Sequence, residues 1–302
     1  MKLQDPLAQT LARAISDANE KPFEPTALEP VTGGCIHKAV KLSGAMDDRA
    51  RDFFVKLNEA DRASMFAAEA EGLTALRDAG AVAVPDVIAQ GDDGEDAWLV
   101  LQWFELGPLD ALSGARLGTA LAAQHRKPQQ KFGWANDNFI GSNPQANGWS
   151  DSWLDFWRQK RLVAQLRMAE KKRLPSKMID RGERLSSDCE AFFRTYTPEK
   201  SLLHGDLWGG NAAAIGGVTP AVFDPAVYVG DREADIAMTA LFGGFPKDFY
   251  SAYRAAWMLD DGYGVRRNFY NLYHVLNHAN LFAGNYVAQA TDSIERLLAE
   301  IR

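Results

Sequence analysis

Cysteine is nearly missing from this sequence: Cys35 and Cys189 are the only two in 302 residues. Two thiols are too few for a disulfide framework or a zinc ribbon. Long apolar runs are missing too, since no stretch reaches the ~18 residues that a bilayer-spanning helix needs. The first twenty residues carry Asp5, Asp17 and Glu20 and no apolar run, so a secretory signal is not expected. Basic excess is also lacking. With Lys+Arg 33 against Asp+Glu 40, the net charge is −7, the wrong sign for a protein that neutralises nucleic-acid phosphates. These absences predict a soluble protein of the reducing cytoplasm, with no nucleic-acid partner and no membrane partner.

What is present is globular material, 46% hydrophobic and 24% charged, enough for a packed core. A chain of 302 residues exceeds the usual size of one core, so two lobes are expected. Residues 4–20 read as an amphipathic helix with Leu7, Leu11 and Ile15 on one face, after which Pro22, Pro25 and Pro30 break the chain. Strands follow around 35–42 and 51–57, with the turn-rich Ser43–Asp48 between them. A helix over 61–78 ends near Gly80, and strands 85–90 and 97–102 form a hairpin about Gly91-Asp92-Asp93-Gly94. Beyond Trp103 helical patterns dominate, at 109–124, 151–170, 177–196, 231–241, 247–258, 265–289 and 291–301. The expected architecture is α+β and bilobal: a small β-rich lobe over 1–103 and a larger, mainly helical lobe over 104–302.

The densest chemistry lies in Ser201-Leu202-Leu203-His204-Gly205-Asp206-Leu207-Trp208-Gly209-Gly210-Asn211, an apolar strand ending in a carboxylate with an amide five residues later. Ala212–Ile215, a Gly216-Gly217 turn and Val218–Phe223 read as a second hairpin. Pairing about that turn sets residue 211 opposite 222 and brings Asn211 and Asp224 to one open end. Asp and Asn favour turns, so any one of Asp206, Asn211 and Asp224 is as readily a loop residue as a ligand. All three at this spacing after apolar strands point to function. Oxygen ligands of this kind suit Mg2+, a hard cation. Phosphoryl transfer needs such a metal on the phosphates and a further carboxylate to accept the hydroxyl proton. Asp206 fits the base; Asn211 and Asp224 fit the metal. The acidic net charge does not exclude ATP, because Mg2+ and a few placed donors offset a triphosphate locally.

A cation for the phosphates is expected from the β-rich half. In Phe53-Phe54-Val55-Lys56-Leu57 the lysine lies inside an apolar strand, where an unpaired ammonium is costly. On the helix over 61–78, Phe66, Glu69, Leu73 and Leu76 share one face, which turns Glu69 inward and Glu71 to solvent. Alone, Lys56 reads as a snorkelling edge residue. Combined with the Asp/Asn cluster, a Lys56–Glu69 pair on the α/β-phosphates is the better reading. Gly33-Gly34-Cys35-Ile36-His37 could bring backbone N–H groups to phosphates, although a Gly-Gly turn before a strand is usually only a turn.

Together these residues resemble the fructosamine-3-kinase (ketosamine-3-kinase) family, a protein-kinase-like fold related to aminoglycoside phosphotransferases and choline kinases. The resemblance rests on His204–Asn211 followed by Phe223-Asp224-Pro225-Ala226, then Tyr228, Gly230-Asp231-Arg232-Glu233, Asp235 and Leu241–Phe245. It extends to Phe132-Gly133, Asn138, Gly141, Pro144-Gln145, Asn147-Gly148-Trp149, Arg161-Leu162 and Tyr270–Phe282, and so spans nearly the whole chain. A tryptophan directly after Asp-Leu, as at Trp208, is typical of fructosamine kinases, whereas aminoglycoside kinases carry an HGDLHPGN-type segment.

The resemblance implies an ATP- and Mg2+-dependent kinase that phosphorylates the sugar O3 of ketosamines, on small molecules or on glycated protein amines. It implies Asp206 as base, Asn211 and Asp224 as metal ligands, Lys56 and Glu69 as the phosphate-positioning pair, and Gly33-Gly34 over the phosphates. Gln102, Trp103, Phe104 and Glu105 would hold adenine. Trp208 would wall the substrate, Asp235 would hold the catalytic loop backbone, and Asp231 reads as a helix N-cap. Val229 departs from a position often tyrosine in the family, which bears on sugar selectivity.

Three further residues admit more than one reading. His274 and His278 sit four apart on a helix without a third ligand, so His278 reads as pocket lining or core rather than zinc ligand. Cys35, beside loop amides, is a redox candidate that would link a dimer of an otherwise monomeric protein, against the plainer reading of a small residue in a tight loop. The rival functions are a kinase of another small hydroxyl compound, such as an aminoglycoside or choline, and a non-catalytic nucleotide-binding pseudokinase.

Overall fold

The computed structural model describes residues 6–31 and 37–301. Helix α1 (Pro6–Asn19) precedes a five-stranded antiparallel sheet of β1 (Glu24–Pro30), β2 (Lys38–Met46), β3 (Arg49–Glu59), β4 (Val87–Asp92) and β5 (Asp96–Gln102). The strand order is β1-β2-β3-β5-β4, and helix α2 (Ala63–Ala79) lies between β3 and β4 in the chain. The two-residue period of a strand decides what each face meets. Phe53, Val55 and Leu57 of β3, with Trp98 and Val100 of β5, pack against Leu11, Ala12 and Ile15 of α1. Lys56 therefore takes the opposite face, paired across the ladder with Leu99 and turned toward the side where Phe66, Leu73 and Leu76 of α2 pack.

Strand β1 was not expected, because Pro25 and Pro30 argue against a strand. It is an edge strand, where a residue without an N–H is tolerated. The β2–β3 hairpin turns only at Asp47-Asp48, both left-handed at φ 51° and 57°, instead of over all of Ser43–Asp48. A two-residue turn requires that geometry, and aspartate tolerates it.

Beyond Gln102 follow β6 (Leu106–Gly107), α3 (Ala111–His125), β7 (Asn138–Ile140), β8 (Asn143–Gln145), α4 (Trp153–Trp157), α5 (Ala164–Lys171) and α6 (Ser176–Asp188). Then come β9 (Ser201–Leu203), β10 (Ala212–Ile215), β11 (Thr219–Val222), β12 (Tyr228–Gly230), α7 (Arg232–Thr239), α8 (Lys247–Ala256), α9 (Tyr263–Phe282) and α10 (Asn285–Glu300). The β-rich N-terminal region thus gives way to a helical C-terminal region, as expected of a protein-kinase-like fold. The C-terminal core gathers around α9, whose Phe269, Tyr270, Tyr273 and Leu276 meet Trp153, Trp157, Leu162 and Leu166.

Three boundaries differ from the sequence reading. The β10–β11 loop takes in Val218 as well as Gly216-Gly217, so Ala212 rather than Asn211 faces Val222. Asn211 instead accepts a hydrogen bond from Phe223 N at 3.1 Å, and it still emerges at the end that carries Asp224. The helix expected to reach 289 stops at Phe282, where Ala283 and Gly284 adopt φ 53° and 57° and turn the chain into α10. The helix expected over 151–170 passes through a π-helical segment, Arg158–Val163, a widening common at functional or strained positions. Within it Arg161 is fully buried, its guanidinium 4.1 Å from the Tyr228 ring and 4.7 Å from the Phe156 ring.

Helices α3 and α8 approach backbone to backbone at Gly118: a Cβ there would lie 2.3 Å from Phe249 O. Overpacking a contact between two backbones costs ~1–3 kcal/mol or more, because neither side can rotate away. Gly118→Ala should accordingly lower the thermal unfolding midpoint by several degrees in differential scanning fluorimetry. An unchanged midpoint would show that the two helices can part without cost.

Candidate active site

The loop after β9 is shaped by its backbone. Gly205 has φ 82°, and a Cβ there would lie 2.0 Å from Ala226 O, so only glycine fits beside the strand that follows Asp224. His204 N and Gly205 N donate to the two Asp235 carboxylate oxygens at 2.7 and 2.9 Å. Asp235 thus holds the loop by its main chain, as the resemblance implied. Burial would raise this carboxyl, but hydrogen bonding and charge from His125, with further help from the Gly205 N–H, hold it below the usual range. The imidazole of His204 reaches Phe223 O at 3.0 Å, and burial lowers its pKa below the usual histidine value.

Asn211 joins the two carboxylate segments. Its Nδ2 donates to Asp206 O at 2.9 Å and Asp206 Oδ2 at 3.3 Å, and lies 3.4 Å from Asp224 O. Loss of water and the nearby negative charge of Asp224 push the Asp206 carboxyl up to about 7. Across the interface between the sheet and this loop, Lys56 Nζ lies 2.6 Å from Glu69 Oε1 and 2.5 Å from Asp224 Oδ1. Lys56 is 5% exposed. Burial works against its charge, but Asp224 and Glu69 outweigh that and raise it well above the usual lysine range. Glu69 is pushed up to about 7 by burial despite Lys56, whereas Asp224, beside the same ammonium, is held down. Asp224 reaches this position from a left-handed backbone at φ 56°.

The four side chains at 56, 206, 211 and 224 therefore form one continuous constellation. Two carboxylates and an amide oxygen within it are a hard, oxygen-only donor set, which fits Mg2+ and no soft metal. The Asp224 side chain is 45% exposed, open enough to take a further ligand.

Other expected site residues are placed as follows. Gln102 ends β5 and pairs with Asp86 through both its backbone N–H and its side-chain oxygen. Trp103 Nε1 donates to Glu105 Oε1 at 2.7 Å, and Lys41 Nζ sits 4.7 Å above the Trp103 ring. Phe104 follows, half-buried, and Glu105 O accepts from Gly216 N. Trp208 is 38% exposed and begins a row of rings: Phe242 at 6.2 Å, then His278 4.8 Å beyond it. His278 Nδ1 donates to His274 O, a local helix contact, and burial lowers both histidines, His274 to about 3. No group of three His, Cys, Asp or Glu able to hold a metal occurs among the described residues. Gly33, Gly34 and Cys35 lie outside the described residues.

Several features escaped the sequence. Glu71 was expected to face solvent; instead it accepts from Trp134 Nε1 at 2.8 Å and from Asn136 Nδ2. His125, at the last turn of α3, bridges Asp235 at 3.2 Å and Tyr253 OH at 2.9 Å. Nothing local to His125 signals this, because both partners lie more than a hundred residues away. Asn138, Gln145 and Asn147 form a buried network that grips Val227 O and Ala226 O, with Arg161 on Asn147 and Tyr273 on Gln145. Val229 is buried in β12, bonded to Gly133 through its backbone, so its side chain belongs to the interior and not to a sugar pocket.

A β-rich region whose lysine meets a carboxylate of a helical region, beside a carboxylate loop held by its backbone, defines a kinase-like phosphotransferase. The family model for fructosamine kinase matches residues 7–300, and the chain belongs to the fructosamine kinase family. It is 40% identical over 295 residues to a probable ketoamine kinase of Synechocystis, covering 96% of each chain. It is 36% identical to the chloroplastic protein-ribulosamine 3-kinase of Arabidopsis thaliana, covering 92% of this chain and 84% of the relative. A crystallised Haemophilus somnus protein, assigned as a fructosamine-3-kinase, superposes with a TM-score of 0.86 at 28% identity, over 95% of this chain and 96% of that one.

The Asp235 clamp generates a test. Replacing one carboxylate oxygen by an NH2 group leaves at least one of the donors on Asp235 without an acceptor, at ~1–3 kcal/mol when buried and unmet. Asp235→Asn should lower the urea midpoint clearly more than Asp180→Asn, a change far from the loop. Equal midpoints for the two variants would contradict the clamp.

Proposed function

We propose that this protein is an ATP-dependent ketosamine 3-kinase, which transfers the γ-phosphoryl group of ATP to the O3 hydroxyl of a sugar-derived ketosamine. The observation that carries this reading is the 2.5 Å contact of Lys56 with Asp224, which joins the sheet to the loop of Asp206 and Asn211. Membership of the fructosamine kinase family supports the acceptor. Phosphorylation at O3 makes the adduct labile and releases the amine, so the activity amounts to deglycation repair.

In this reading the acceptor hydroxyl donates a hydrogen bond to Asp206. As its oxygen forms a bond to the γ-phosphorus and the bond to the β-phosphate bridging oxygen breaks, the hydroxyl proton passes to Asp206. Lys56, braced by Glu69, orients the α- and β-phosphates. Asn211 and Asp224 would hold Mg2+, which when bound neutralises charge on the phosphate oxygens. The backbone of Gln102, Trp103, Phe104 and Glu105 receives adenine. Trp208 and His278, at two points along the ring row, line the acceptor side. An aminoglycoside or choline kinase is disfavoured by Trp208 after Asp206-Leu207, and a pseudokinase by the presence of Lys56, Glu69, Asp206, Asn211 and Asp224 together.

Asp206→Asn is expected to lower kcat by ~10²–10⁴-fold, with the KM for ATP near that of the parent protein in a coupled ADP-release assay. Turnover within a few-fold of the parent would remove Asp206 from the mechanism. Among acceptors, ribulose-lysine should show the higher kcat/KM and fructose-lysine the lower. Reversed values would assign the site to the longer sugar, and equal values would show that it does not discriminate the two.

A further inference from the structure

Helix α2 carries two acidic residues that do different things. Glu69 meets Lys56, and Glu71, two residues on, leaves the helix in another direction. Its Oε1 accepts from Trp134 Nε1 at 2.8 Å, and Asn136 Nδ2 lies 3.3 and 3.1 Å from its two oxygens. The 132–138 segment is itself fixed to the stretch after Asp224. Gly133 and Val229 exchange two backbone hydrogen bonds of 2.8 Å, and Asn138 Nδ2 donates to Val227 O at 2.8 Å. Asn147 ties the same segment further, through Asn136 O and Asp137 Oδ1. Between these contacts, Gly72 of α2 lies flat on Pro225 and Val227, so close that a Cβ would sit 3.1 Å from Pro225 Cγ.

We propose that Glu71 is a positioning residue for ATP: its clasp on Trp134 and Asn136 fixes α2 against the Asp224 segment and so sets the Lys56–Glu69 pair. The reasoning is geometric. Glu69 orients Lys56 only as well as α2 itself is held, and the Lys56–Asp224 contact spans from the sheet to the C-terminal region. The clasp is a side-chain tie between the same two bodies, additional to the Lys56–Asp224 contact and to the 3.0 Å hydrogen bond from Val222 N to Ala83 O. Its donors are neutral N–H groups of fixed direction, which favours orientation over simple attraction. Glu71 bonds Trp134 and Asn136 and acts through Glu69.

This inference rests on the kinase reading, and the experiment separates the two. ATP and ketosamine kinetics are measured on the parent protein, Glu71→Ala, Trp134→Phe and the double variant. Parent turnover establishes the kinase reading; its absence would sink that reading before Glu71 is judged. With a turning-over parent, Glu71→Ala should raise the KM for ATP about tenfold and leave the ketosamine KM within twofold. Trp134→Phe, which removes one donor and keeps the ring, should shift the ATP KM in the same direction. The double variant should be no worse than Glu71→Ala alone, since both remove one interaction. A purely structural role would lower kcat with the folded fraction and leave the ATP KM unchanged, and that result would overturn the proposal.

Discussion

Everything in this molecule turns on one buried ammonium. Lys56 sits within an apolar face of the sheet, where an unpaired charge costs far more than any local contact returns. Two carboxylates answer it, one from the neighbouring helix and one from 168 residues away in the chain. The first makes the lysine tolerable in its own region. The second makes the N-terminal region incomplete without the C-terminal one. Breaking the buried Lys56–Glu69 pair on one side costs ~3–5 kcal/mol, because the partner charge stays behind. An ammonium has three donors and two are committed, so the same group retains capacity for a phosphate oxygen. The stability of the interface and the polarity of the site thus come from the same atoms.

Around that contact, α7 and its N-cap supply a buried support for the loop after β9. Asp231, Arg232, Glu233 and Asp235 are all buried. Asp231 caps the helix through Glu233 N and also receives hydroxyls from Tyr196 and Tyr270. Glu233 makes a two-point pair with Arg266, whose guanidinium also stacks 3.9 Å from the Tyr196 ring. Arg232 ends on Trp257 O and Met258 O. The Asp-Arg-Glu block marks the family in the sequence, yet its charges are spent on scaffold. Only Asp235 looks toward the loop, and it does so through backbone N–H groups, which no side-chain substitution in the loop can remove.

How much of this was legible depended on range. Lys56 and Glu69 are read correctly because strand and helix periods fix which face each takes, and both periods are local. The Asp206, Asn211 and Asp224 group is legible because a single hairpin brings them together, and a one-residue error in its register leaves them at the same end. Glu71 defeated the same logic. Helical periodicity tells which side of α2 it occupies, but not that Trp134 and Asn136 arrive there from outside the sheet. His125 and Arg161 failed in the same way, since their partners are fixed only by tertiary packing. β1 was lost for a different reason: proline statistics describe central strands, and an edge strand does not need the missing N–H.

Trp208 makes two kinds of contact within one short loop. Its backbone N–H bonds Asp206 O at 3.1 Å, and its carbonyl accepts from Asn211 N at 2.9 Å, so its backbone is fixed to both Asp206 and Asn211. The ring itself is partly exposed, lies against Gly210 and meets Phe242, which in turn meets His278 of α9. Lys56, Asp206, Asn211 and Asp224 are therefore held by hydrogen bonds and charge, which tolerate little change. Trp208, Phe242 and His278 are held by ring contacts worth about 1 kcal/mol each, which tolerate much more. Rings along α9 and the 241–245 segment can therefore change at small cost, while the constellation around Lys56 cannot.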